Sequence, residues 1–297
     1  MNSFEARYRY ILEQIDQRGS VSVIDLAENL AVSDMTIRRD LNELEKVGMI
    51  RRVHGGAVSA RGRSFEPPLF FRSTENKAIK QILGKYASQM VLEGDSITLD
   101  VGSTTYEIAV NLENKHNITL VTPSIPIANL FLNRSDVRLI LPGGIVRPGE
   151  SSMVGEPARR NLETLFVDRL FLGVAAINSQ AGLTEYNMDD SDIKKAMIRN
   201  AKEVVLVLDS SKFEKTAFAS VAPIKALHHL ITNEEPPKSL LSVLKDNNVT
   251  VHIVNETETR ILKFSATTSI WNGQHEKDDL ATDSTGNPDS REQRGAS

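Results

Sequence analysis

Cysteine is absent from this chain of 297 residues, tryptophan occurs once, and aromatic residues make up only 5%. Without cysteine there is no disulfide, no thiolate metal site and no thiol nucleophile, and the composition suits a reducing compartment. No apolar run approaches the roughly 18 residues of a spanning helix. The start MNSFEARYRY lacks the apolar core of a signal peptide, so the expectation is a cytoplasmic protein with no membrane partner. A basic excess is missing too: the net charge is -4 and the pI is near 5.9. Any grip on nucleic acid must therefore be local. The hydrophobic content of 40% is enough for one small and one larger domain.

Tyr8, Ile11, Leu12 and Ile15 fall at helical spacing before Gly19 and predict a first helix. Ser22 and Asp25 have the form of a capping box ahead of Val23, Leu26, Ala27 and Leu30, a short second helix. Ser33 can cap a third, with Ile37, Leu41 and Leu44 as its buried stripe and Met35, Thr36, Arg39, Asn42 and Glu43 on the other side. After Gly48, IRRV, His54-Gly55-Gly56 and Ala57-Val58 read as a tight hairpin.

Positive charge concentrates here: residues 33–63 hold seven Lys or Arg against four Asp or Glu. Arg38 and Arg39, near the start of the third helix, suit a recognition helix whose guanidiniums fork onto guanine or phosphate. Arg51, Arg52 and His54 would reach the flanking backbone or minor groove, although a solvated helix face accounts equally well for the charge count alone. The stretch VSDMTIRRDLNELEKVGMIRRVHGGAV resembles the winged helix-turn-helix of the DeoR family of bacterial transcriptional regulators. The resemblance implies a helix-turn-helix from Ser20 to Arg39, DNA contacts from Ser33, Thr36, Arg38 and Arg39 alongside the wing, operator DNA as partner, and an Asp40 that holds an arginine in register.

Residues 59–74 break periodicity, carry Pro67-Pro68 and read as a stiff linker. Beyond it the apolar runs SITLDV, ITLVT, VRLIL, RLFLGV, EVVLVLD, HHLIT and VTVHIV, several separated by helical stretches, predict a largely parallel sheet covered by helices over 75–264. The fold class is α/β throughout this part. From 265 to 297 the chain is poor in aliphatics, which predicts a disordered tail.

Asp100 and the turn Gly102-Ser103-Thr104-Thr105 follow SITLDV and open a helix. Free backbone N–H groups beside hydroxyls make an anion cradle, with phosphate the natural guest and Asp100 an acceptor for sugar hydroxyls. A turn that merely caps a helix has the same residues, so the turn alone does not decide. Gly143-Gly144 with Arg147, the stretch GLTEYN with Glu185, Lys195, and the Asp209-Ser210-Ser211-Lys212 turn lie at or between predicted strands, where a crevice collects loops. FLGV, GLTEYN, IKKAMI and LVLDSSKF resemble the DeoR-family sensor domain, which is similar to sugar-phosphate isomerases. This implies a sugar-phosphate pocket at Asp100, Gly102, Ser103, Thr104 and Thr105, lined by Glu185, Lys195 and Lys212. The sequence departs from that family at VTPS, with Pro123 where asparagine is usual, and at Glu214, where glycine is usual, so the ligand is expected to differ from the commoner sugar phosphates.

The expected function is a sequence-specific regulator, a repressor of a carbohydrate operon responding to a phosphorylated sugar and acting as a homo-oligomer, since operator half-sites need paired reading heads. No cofactor, metal site or catalytic residue is expected. An isomerase-like enzyme, with Glu185 or Asp100 as base beside Lys212, is the alternative. It lacks a histidine in the pocket segments, and His228 and His229 point to opposite faces of their strand. A ligand-indifferent architectural DNA binder is a third reading.

Overall fold

The computed structural model describes residues 4–59 and 62–264. Helices α1 (Phe4–Arg18), α2 (Val23–Leu30) and α3 (Asp34–Lys46) bury Tyr8, Ile11 and Ile15 against Leu26, Leu30, Ile37, Leu41 and Leu44. The serine caps form as the sequence suggests. Ser22 Oγ accepts the N–H of Asp25 at 3.0 Å and Ser33 Oγ that of Thr36 at 3.2 Å, each satisfying a donor the helix leaves open. The wing is three-stranded, in the order β1 (Ser20–Ser22), β3 (Gly56–Ser59), β2 (Ile50–Val53). β1 was not foreseen because three residues are too few for an alternating pattern to show.

The segment expected as a linker holds a short helix, α4 (Leu69–Thr74), directly after Pro67-Pro68. Phe71 stacks on Tyr8 with ring centroids 5.7 Å apart, and Phe65 and Phe71 both pack on the first core. Residues 65–74 thus pack on the DNA-binding part and are not a plain spacer. Its six-residue helix is too short to carry a helical period.

The second part runs through α5 (Lys77–Ser88), β4 (Ser96–Leu99), α6 (Ser103–Val110), β5 (Ile118–Val121), α7 (Ile125–Phe131), β6 (Val137–Ile140), the hairpin β7 (Ile145–Arg147) and β8 (Ser152–Val154), and α8 (Glu156–Leu162). It continues with β9 (Val167–Leu172), β10 (Ala176–Asn178), β11 (Gly182–Glu185), α9 (Met188–Arg199), β12 (Ala201–Val207), β13 (Ala219–Ala222), β14 (His229–Thr232), α10 (Lys238–Asp246), β15 (Thr250–Val254) and β16 (Thr259–Leu262). The main sheet has eight strands in the order β16-β15-β14-β12-β9-β4-β5-β6. All neighbours are parallel except β15 and β16. A small antiparallel sheet, β10-β11-β13, stands apart from it. Alternation sends Leu170 and Leu172 into the core on one face and Phe171 into the core on the other, which is why these strands read as continuous apolar runs. At Gly84 a Cβ would lie 2.6 Å from the Glu107 backbone, so glycine is what lets α5 and α6 approach.

Strands β4, β5 and β6 proceed outward in one direction and β9, β12, β14 and β15 in the other. The winding therefore reverses between β4 and β9, and the crevice beyond their carboxyl ends is where ligands bind in such sheets. The tail expected to be disordered, 265–297, lies outside the described residues.

Candidate functional site

On α3, Arg38 and Arg39 are exposed, and among the described residues neither side chain makes a hydrogen bond or ion pair. Thr36 Oγ1 lies 3.0 Å from Ser33 Oγ, at the start of the same helix. Arg51 and His54 are exposed on the wing. Arg52 differs from the reading that placed it on DNA. Its Nη1 donates to Asn42 Oδ1 at 2.5 Å and its backbone N–H to Glu45 Oε1 at 2.9 Å, so it braces the wing against α3. Asp40 is fully buried and accepts from Arg7 Nε at 2.6 Å and Nη2 at 3.0 Å. An arginine is indeed held in register, but it belongs to α1. The paired charges fix the angle at which α3 presents its outer face.

The crevice at the sheet reversal is built by the turn after β4. Gly102 has φ 154° and ψ 162°, a region essentially reserved for glycine, and it aims the start of α6 into the crevice. The first N–H groups of α6 have no partner within the helix, and the partial positive charge there favours an anion. Thr105 does not add a donor, because its hydroxyl is spent on the Gly102 carbonyl at 3.0 Å. Opposite the turn stand Lys80, Arg72, Glu185, Tyr186 and Lys212. Burial pulls the Lys80 ammonium down to about 8 and pushes the Tyr186 phenol up to about 12. The space between them is about 40 Å³, while a cavity of about 490 Å³ adjoins it across Gly102 and Ser103, walled by Leu69, Ser73 and Thr74 of α4 and by Ser124.

Asp100 does not face this space as an acceptor for hydroxyls. It is 1% exposed, is ion-paired with Lys194, and accepts the N–H of Gly173 at 3.0 Å, tying β4 to β9. Lys194 also donates to the Gly173 carbonyl at 3.0 Å and pairs with Glu185 at 3.4 Å. Burial opposes the charge on Lys194, but Asp100 and Glu185 outweigh it and keep the ammonium protonated. Lys195, expected in the pocket, is on the outer face of α9 and pairs with Asp192 at 3.1 Å. Adjacent helical residues point about 100° apart, so only one of the two lysines can face the sheet, and Ile193, Ala196 and Met197 mark that face. Arg147 stands behind the crevice, paired with Glu66 at 2.9 Å and Asp190 at 2.5 Å. Arg72 and Lys80 were missed in the sequence. Lys80 did carry a signal, since it shares the buried stripe of Leu83, Gly84 and Ala87.

Two family models match: the DeoR-like helix-turn-helix domain over residues 7–62 and the DeoR C terminal sensor domain over 75–234. The chain belongs to the DeoR family. The glycerol-3-phosphate regulon repressor of Escherichia coli is 32% identical over 247 residues, covering 83% of this chain and 98% of its own. The HTH-type transcriptional regulator GlpR of Haloferax volcanii is 35% identical over 227 residues, covering 76% and 89%. Among solved structures, ribose 5-phosphate isomerase A from Methanocaldococcus jannaschii matches at a TM-score of 0.38 and 14% identity, covering 64% of this chain and 100% of that one. A likeness that distant carries no argument. This DeoR-family protein is a DNA-binding transcriptional regulator with a sensor domain.

The two departures from the DeoR pattern do not sit where they were expected to act. Glu214 has φ 50°, a left-handed conformation that explains why glycine is usual. Its carboxylate accepts from Asn178 Nδ2 at 2.8 Å, Ser179 Oγ at 3.1 Å and Ser239 Oγ at 2.7 Å, tying its turn to the end of β10 and the start of α10 and not to the crevice. Pro123 does not line the crevice either; its carbonyl accepts the N–H of Met153 at 2.8 Å, and Ser124 next to it caps α7.

Proposed function

We propose that this regulator represses an operon of carbohydrate or polyol metabolism and releases its operator when a phosphorylated sugar or polyol binds the crevice. The observation that carries the reading is the unpaired start of α6, shaped by Gly102 and faced by Lys80, Arg72 and Lys212. Backbone donors plus three cations suit a phosphate dianion, and the hydroxyl-lined cavity beside them suits a polyol body. Ser33, Thr36, Arg38, Arg39, Arg51 and His54 are the DNA-facing set, and Gly102, Ser103, Thr104, Glu185 and Lys212 the ligand-facing one. The name of the Escherichia coli relative supports a three-carbon phosphate as the first candidate. The protein acts in the cytoplasm as a homo-oligomer. Exposed Leu141, Ile145 and Val146 around the β7 hairpin support an interface there.

Catalysis is not part of this reading, because the carboxylates that would serve as bases, Asp100 and Glu185, are both committed to Lys194. The test is binding of the full chain to DNA from its own promoter at fixed salt, titrated with a panel of sugar and polyol phosphates. Tight binding released by one compound is expected. Binding indifferent to the whole panel would end the sensor reading, and steady turnover of any compound would favour the enzyme.

A further inference from the structure

The cations that face the crevice also hold the segment leading to the DNA-binding domain. Arg72, on α4, is paired with Glu150 and with Glu66 at 3.1 Å, and its Nε donates to the Pro67 carbonyl at 3.0 Å. Lys80 donates to the backbone carbonyls of Arg72 and, at 2.7 Å, Glu75, which closes the end of α4. Lys80 is 4% exposed, and among the described residues no carboxylate lies within ion-pair distance of its ammonium. A buried cation held only by carbonyls is available to an anion.

The carboxylates around Arg72 outnumber the cations. Glu66, Glu150 and Asp190 share Arg72 and Arg147, and Glu150 is 3% exposed with Arg72 as its ion-pair partner. Burial raises the Glu66 carboxyl to about 7 even beside Arg72. The space of about 40 Å³ that Arg72 and Lys80 line with the Gly102 turn has room for a few water molecules. An anion seated on that turn meets both cations, and both are fastened to α4: Arg72 belongs to the helix and Lys80 holds the carbonyls at its end. Phe71 of the same helix stacks on Tyr8 of α1.

We propose that Arg72 and Lys80 form a latch: an anion seated on the Gly102 turn takes these two cations from Glu66, Glu150 and the α4 carbonyls, and so loosens the segment that joins the sensor to the DNA-reading helices. This rests on the proposed effector site, and it assigns the sign of regulation to competition for two side chains. A ligand that prefers the unlatched state must, by linkage, weaken the operator-binding state by the same factor.

The test uses the full chain with Glu150→Gln and Glu66→Gln, each of which keeps the shape and removes a competitor for Arg72. Three quantities are read: affinity for sn-glycerol 3-phosphate and for inorganic phosphate by calorimetry, operator affinity without ligand, and tryptic cleavage after the exposed Arg63. Both variants are expected to bind the probes at least about fivefold more tightly, to bind the operator correspondingly more weakly, and to be cut faster. In the wild type, either probe should speed cleavage. Folded variants with unchanged affinities and cleavage, or with weaker probe binding, overturn the latch. A wild type that binds neither probe overturns the ligand half of the latch, while the effector reading is decided by the promoter titration with the full panel. Operator affinity and Arg63 cleavage in the variants then decide whether Arg72 still couples the two parts.

Discussion

Asp40 in the recognition helix and Arg7 in the first helix form a buried, two-pronged ion pair at 2.6 and 3.0 Å. Removing one member leaves the other charged and desolvated, which costs about 3 kcal/mol or more. Asp40→Ala should therefore lower the stability of the DNA-binding part by that amount, measured by denaturant unfolding, and should weaken operator binding through loss of the helix angle. Arg7→Ala should do the same although it touches no DNA. Unchanged unfolding in both variants would show that the pair contributes nothing net.

Among the described residues the Arg39 side chain makes no hydrogen bond or ion pair, so its loss should leave folding intact. Arg39→Ala is expected to weaken the cognate operator by about 1 to 3 kcal/mol and to reduce the gap between cognate and unrelated DNA. Arg51→Ala, on the wing, should weaken all sequences alike and reduce the slope of log affinity against log salt by about 1. If Arg51→Ala instead abolishes discrimination, the wing reads bases and the assignment of the two arginines is reversed.

Gly102 reaches φ 154°, and a side chain there is strained by about 1 to 3 kcal/mol. Gly102→Ala should tilt the α6 N–H groups away from the crevice, lowering affinity for phosphate esters at least tenfold while operator binding without ligand stays as in the wild type. Undiminished phosphate binding would move the cradle elsewhere.

A chain of neutral groups joins Tyr86 Oη to His252 Nδ1 at 3.0 Å and His252 Nε2 to His229 Nδ1 at 3.1 Å. Burial, helped by His229 and Lys263, lowers the His252 imidazole to about 4 from its ordinary 6.5. The unfolded chain thus takes up a proton below 6.5 that the folded chain refuses until about 4, so stability falls as pH drops across that window and levels off beneath it. Melting temperatures from pH 7 to 4 should show this decline, and His252→Gln should flatten it. A decline of equal size in His252→Gln would assign it to other groups, His229 among them, whose imidazole is also lowered by burial.

Asp100, expected to offer acceptors to sugar hydroxyls, is turned away from the crevice, and Asp100→Ala should show this in denaturant unfolding. With Lys194 buried against it, Asp100 is part of the joint between β4 and β9, and its loss should cost stability first.

The legible features are those written within a few residues: the serine caps, the Ile37, Leu41 and Leu44 stripe with two arginines on the opposite face, the His54-Gly55 turn, and the glycine turn opening α6. Each is decided by local backbone geometry, where one residue type fits and others do not, so the third helix with its exposed arginines and the glycine turn that opens α6 were visible in the chain alone. Tertiary structure decided which charge is buried against which. Lys194 meets Asp100 across 94 residues and Arg72 meets Glu150 across 78, and neither pairing has a local period or motif. An ionisable side chain is placed by what packs opposite it and by whether its desolvation is compensated there. That is why Lys195 was mistaken for its neighbour, why the segment read as a linker holds a helix fastened to both parts, and why Asp100 holds strands together instead of lining the crevice.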